Sequence, residues 1–131
     1  MNKQLHNILL VDDNRTTISL NKLLIAKVDN AAELHTAPDG KAALELLQKL
    51  AQDGSRFPDV ILVDLKMPVM DGIEFYRNYK SYFTPEQVAN TKVVMLTTSL
   101  APLDFKQAKD EGIEYFLNKP LTTTKLKEIL V

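Results

Sequence analysis

The segment Val60-Ile61-Leu62-Val63 sets the strongest limit on the fold. It holds four apolar residues in a row, three of them β-branched, opened by Pro58-Asp59 and followed downstream by the turn pair Asp71-Gly72. A strand with one wet face alternates apolar and polar residues. An unbroken run instead suits a strand buried on both faces, as in a parallel sheet under helices. Ile8-Leu9-Leu10-Val11 and Val93-Val94-Met95-Leu96 have the same character, and Ile113 to Leu117 reads as a further strand. Glu33 to Ala37 mixes in polar residues, which suits a sheet edge.

Helical periodicity fills the intervals. Leu20, Leu23, Leu24 and Val28 form one apolar stripe, and Ala43, Leu46, Leu47 and Leu50 a second. Ile73, Tyr76 and Lys80 mark a short third helix that frays near Tyr82-Phe83-Thr84-Pro85. A fourth, from Ala101 to Glu111, carries a thin stripe of Ala101, Phe105 and Ala108, with Gly112 placed as its left-handed stop. Leu126, Ile129 and Leu130 face inward from a final short helix. Residues 84–91 read as a connection without an element of their own. Five strands alternating with five helices predict a single α/β domain with a doubly wound parallel sheet and helices on both faces. Five strands fit the order 2-1-3-4-5 better than the six-stranded dinucleotide fold. No G-x-G-x-x-G follows the first strand, and the phosphate-binding loop G-x-x-x-x-G-K-[ST] is absent.

Composition removes several functions. A net charge of −1 over 131 residues gives no electrostatic case for nucleic acid or an acidic membrane surface. The chain has no cysteine, which excludes disulfides and thiolate metal sites. Its first apolar stretch spans four residues before an acid pair, too short for a signal peptide or membrane span. The expectation is a soluble, cytoplasmic protein.

In an open α/β sheet, ligands bind outside the carboxyl ends of the strands, where the winding reverses. Asp12 and Asp13 follow the first strand, Asp64 ends the third, Thr97 the fourth, and Lys119 follows the fifth. One crevice thus collects three carboxylates, a hydroxyl and an ammonium. Crowded carboxylates repel, and a hard divalent cation such as Mg²⁺ relieves that repulsion through oxygen ligands. Two acids suffice to hold the ion, leaving the third as an aspartyl nucleophile for a phosphoryl group. Asp64 is central and takes that role, with Lys119 and Thr97 balancing phosphoryl oxygens.

ILLVDDN (8–14), VILVDLKMPVMDG (60–72), VVMLTTS (93–99) and YFLNKP (115–120) fall in order along the chain. With these motifs the sequence closely resembles the receiver domain of two-component response regulators, of the chemotaxis type, over essentially its whole length. The resemblance implies that Asp64 accepts a phosphoryl group from a sensor histidine kinase or a histidine phosphotransfer protein. It implies Mg²⁺ held by Asp12, Asp13, Asp64 and the backbone carbonyl of Lys66, and a cis Lys119-Pro120 peptide. It further implies a switch in which Thr97 and Phe116 respond to phosphorylation and move the surface of the fourth helix, fifth strand and fifth helix. Lys66 and Ser99 occupy positions that influence phosphoryl lifetime in the family; Lys66 either screens attacking water or points to solvent. A downstream protein target and a monomer or phosphorylation-dependent homodimer complete the expected partners, with Leu103 as an exposed contact.

The chain stops directly after its last helix, which leads to the expectation of a receiver without an output domain; a native chain continuing past Val131 is the rival. The protein is expected to be a signalling phosphoacceptor rather than an enzyme. An aspartyl-nucleophile phosphatase wants a second acid two residues after the nucleophile, where this chain has Lys66. A flavin site would set the Asp12-Asp13 loop against a phosphate. A phosphate-independent interaction module would have no use for the five-residue set. His6 and His35 read as ordinary histidines remote from the crevice.

Overall fold

The computed structural model describes residues 6–98 and 102–130, the side chains of 102–104 excepted. Five parallel strands, β1 (Asn7–Val11), β2 (Glu33–Ala37), β3 (Val60–Asp64), β4 (Lys92–Thr97) and β5 (Tyr115–Asn118), form one sheet in the order β2-β1-β3-β4-β5. The doubly wound arrangement expected from the sequence is therefore the one observed. All five residues of β1 and of β3 are buried, as unbroken apolar runs require. The mixed β2 sits at an edge.

Alternation along the strands divides the core in two. Leu9, Val11, Ile61, Val63, Val93 and Met95 face one layer, built from α2 (Gly40–Gln52), α3 (Gly72–Tyr82) and α5 (Pro102–Asp110). Ile8, Leu10, Val60, Leu62, Val94 and Leu96 face the other, built from α1 (Arg15–Val28) and α6 (Thr123–Ile129). His6 fastens the far end of the second layer: its Nδ1 lies 2.7 Å from Asp29 Oδ2 and its Nε2 2.7 Å from the Leu130 carbonyl. Among the described residues no helix is long and apolar enough to cross a membrane.

Helix phases differ from the periodicity reading. In α1 the buried residues are Asn21 and Ile25, while Leu20 and Leu23 are 55% and 63% exposed. Leu24 and Val28 of the expected stripe do pack against the core, half-buried beside Ile18. Asn14 caps the helix by accepting the Thr17 N–H, and its own N–H donates to Asp12. The exit from β1, rather than the largest apolar sum, thus sets the phase. In α2, Leu44 is buried beside Ala43 and Leu47, and Leu50 lies half-out. In α3, Phe75 and Tyr79 are buried with Ile73, Tyr76 packs half-buried against the same core, and Lys80 is exposed. The 84–91 connection contains a short helix, α4 (Pro85–Ala89), closed by reciprocal Thr84 and Gln87 capping bonds. Thr84-Pro85-Glu86-Gln87 carries that capping box and a proline at the first helical position openly. α5 ends as expected at Gly112 (φ +102°), with Ile113 N–H bonded to Ala108 O and Gly112 N–H to Lys109 O. Ala108 is buried and Phe105 half-buried; Ser99, Ala101 and the Leu103 side chain lie outside the described residues. β5 begins at Tyr115 instead of Ile113, because Gly112 and Ile113 are spent on the helix stop.

Ile25→Ala is expected to cost about 2–5 kcal/mol, whereas Leu23→Ser changes stability by no more than about 0.5 kcal/mol. Denaturant unfolding checks this, and equal effects would contradict the observed phase of α1.

Candidate functional site

Asp12 follows the last residue of β1 and is only 4% exposed. Its N–H donates to Ala37 O of β2, and its Oδ1 accepts the Asn14 N–H at 2.9 Å. Asp13 beside it is exposed. Asp64 closes β3 and is 8% exposed. One oxygen from each of Asp12, Asp13 and Asp64 lies within 4.8 Å of the others. Lys119, from the loop after β5, donates through Nζ to Asp12 Oδ2 at 3.0 Å and lies 3.1 Å from Asp64 Oδ2. Its own N–H donates to Thr97 O at 2.7 Å, and the Lys119–Pro120 peptide is cis.

The fold thus gathers Asp12, Asp13, Asp64 and Lys119 in one crevice, with the buried Thr97 at the adjoining end of β4. The Lys66 side chain is exposed, and its N–H donates to Asp64 Oδ1 at 3.3 Å. Phe116 lies on β5, paired across the ladder with Met95 of β4. It is half-buried, with its ring 4.8 Å from that of Phe105 on α5.

Three features escaped the sequence reading. Gly72 reads as a turn residue, but its lack of a side chain matters more: a Cβ there would sit 2.9 Å from Asp64 O and 2.8 Å from Met95 Sδ. Only glycine lets α3 start against the backbone of the central acid. Val69, 76% exposed, adopts φ +71°, a left-handed conformation that costs an L-residue about 1–2 kcal/mol. Nothing in the apolar pattern marks it. The outward leucines of α1 also matter: Leu20 and Leu23, with the half-buried Leu24, line a groove of about 500 Å³ with Pro120 and Leu121, reaching Thr98 and Lys119.

Burial pushes the Asp64 carboxyl above its ordinary 3.8; the Lys119 hydrogen bond and charge oppose this, and the Asp12 charge adds to it. For Lys119, burial favours the neutral amine, but hydrogen bonds and charges from Asp12 and Asp64 outweigh it and raise the ammonium above 10.5. The crevice therefore favours a proton or a cation at the acids and retains its lysine charge. An all-oxygen donor set with one exposed member fits a hard divalent metal ion.

A raised folded-state value means the fold binds the Asp64 proton more tightly than the unfolded chain does. That stabilisation is complete below pH 3.8 and is lost as pH rises through the raised value. In chelator, the stability of Asp64→Asn should gain on that of the natural protein as pH rises across this window. Parallel profiles in denaturant unfolding would contradict it. Val69→Gly is expected to raise stability by about 1 kcal/mol by removing the left-handed strain, and a lowered unfolding midpoint would refute this.

A sequence profile of the response regulator receiver domain matches residues 8–131. The chain is 32% identical over 120 residues to the "Probable methanogenesis regulatory protein FilR2" of Methanothrix harundinacea, covering 92% of this chain and 76% of that protein. It is 31% identical over 125 residues to Histidine protein kinase 1 of Candida albicans, covering 94% of this chain but 5% of the kinase. The structure of the chemotaxis protein CheY4 of Vibrio cholerae superposes with a TM-score of 0.79 at 31% identity, covering 97% of both chains. With the sheet order, the acid crevice and the profile in agreement, the chain belongs to the response regulator receiver domain family, homologous to the receiver domains of histidine kinases and response regulators.

Proposed function

We propose that Asp64 is the phosphoacceptor of this receiver, taking a phosphoryl group from a phosphohistidine on a sensor kinase or phosphotransfer protein with Mg²⁺ assistance. The observation that carries this reading is the Lys119 ammonium shared between Asp12 and Asp64, with Asp13 alongside. Asp12, Asp13, Asp64 and the Lys66 carbonyl would hold the ion, which neutralises charge on the transferring group. An Asp64 carboxylate oxygen attacks phosphorus in line. The O–P bond forms as the P–N bond to the imidazole breaks, and the departing imidazole takes up a proton. Lys119 pairs with one phosphoryl oxygen and the Thr97 hydroxyl donates to another. The reaction needs a donor protein at the mouth of the crevice. The groove of Leu20, Leu23, Pro120 and Leu121 supports docking there, because it is apolar, exposed and continuous with Lys119.

The acyl phosphate adds negative charge and acceptor oxygens beside Thr97. Attraction of the Thr97 hydroxyl moves the end of β4. Phe116, its ring tilted against that of Phe105, carries the change to the surface of α5, β5 and α6. In this reading the protein is a signalling phosphoacceptor that works in the cytoplasm.

Incubation with Mg²⁺ and acetyl phosphate should add one phosphoryl group at Asp64, and Asp64→Asn should add none. An unchanged intact mass of the natural protein would sink the assignment. Lys119→Ala is expected to keep its Mg²⁺ binding, lose about a hundredfold in phosphorylation rate, and show no phosphorylation-dependent NMR shifts around Phe116. Normal shifts there would remove Lys119 from the switch.

A further inference from the structure

The first turn of α6 breaks a local rule. Thr122 is its N-cap, accepting the Lys125 N–H at 3.1 Å. Three residues after such a cap, glutamate or glutamine closes a capping box, as Gln87 does in α4. A cation there instead faces the positive end of the helix dipole. α6 carries Lys125 at this position, and the side chain turns back out of the helix. Its ammonium donates to Asn118 O at 2.7 Å and to Pro120 O at 3.1 Å, the two carbonyls that flank Lys119. Lys119 is thus gripped on both sides. Its N–H is held by Thr97 O of β4, and the neighbouring carbonyls are held from α6.

We infer that Lys125 is a positioning residue that fixes the backbone around Lys119, so that the Lys119 ammonium is held between Asp12 and Asp64. Its role rests on the reading of Lys119 as the phosphoryl counter-ion. The unfavourable placement in the helix is offset by two charge-assisted bonds made outside it. The same contact joins the crevice directly to α6. A change in the Asn118–Pro120 backbone therefore reaches the last helix without passing through Phe116.

Three variants separate positioning from helix stability. Lys125→Met keeps the stem and removes the donor. Lys125→Glu completes the capping box and suits the dipole, so α6 should become more stable while the grip is lost. Lys125→Arg retains a donor. Met and Glu are both expected to slow phosphorylation by acetyl phosphate about ten- to a hundredfold, with half-saturating Mg²⁺ unchanged and amide exchange at Lys119 accelerated. Arg should recover most of the rate. Glu with raised stability but lowered rate is the result a merely structural lysine would not produce. Natural rate and natural Lys119 exchange in Met and Glu would overturn the inference. If the natural protein takes no phosphoryl group, the assignment of the crevice fails instead. Lys119 exchange then still decides the positioning role: faster exchange in Met and Glu upholds it, and unchanged exchange overturns it.

Discussion

Three carboxylates held within 4.8 Å of one another repel, and the domain accommodates them by placing the Lys119 ammonium between two of them. That interaction joins strand ends distant in sequence: Asp12 after β1, Asp64 on β3 and Lys119 after β5. Each participant is held by backbone bonds of its own. Asp12 is tied to β2 through Ala37, the chain beyond Asp64 to β4 through Leu96, and Lys119 to β4 through Thr97. The sheet supplies a rigid frame, and its reversal between β1 and β3 opens the crevice in which these groups meet.

α5 is held differently from the other long helices. Its C-terminal end is fastened to α3, where Glu111 accepts from Arg77 at 3.0 Å and pairs with Lys80, whose ammonium also reaches the Glu111 carbonyl. Tyr76 adds a long contact to Gly112 O at 3.5 Å. Among the described side chains, α5 meets the domain toward its middle through Ala108 and the Phe105–Phe116 contact. Ion pairs as exposed as these are screened by salt, so the grip is a soft one. Contacts of this kind place the C-terminal half of α5 in the less stable part of the fold.

The sheet, its order and the crevice were legible because they depend on composition and chain order. Unbroken runs such as Ile8–Val11 and Val60–Val63 are visible without knowing any contact, and a polar residue after each run lands at the same sheet edge. Helix faces were less legible. In α1 the apolar residues outnumber the buried places, so periodicity offers two phases, and the cap at Asn14 selects the one that leaves Leu20 and Leu23 outside. In α3 the choice falls to Gly72, whose close approach to Asp64 fixes the entry of the helix. The left-handed Val69 could not have been read, since valine is a poor choice for that conformation. The short helix α4 does carry a legible signal, the capping box of Thr84 and Gln87, although the segment holds no apolar stripe.

Three carboxylates against one ammonium carry two unbalanced negative charges. A single divalent ion would restore electroneutrality. Conversion of a carboxylate to an acyl phosphate dianion adds about one negative charge and reopens the deficit. The nearest positive and dipolar groups would then rearrange to meet it. In this sense Lys119 by itself would leave the crevice one dication short of balance, and a chemical event of atomic size would be felt as a change in the field of the whole sheet edge.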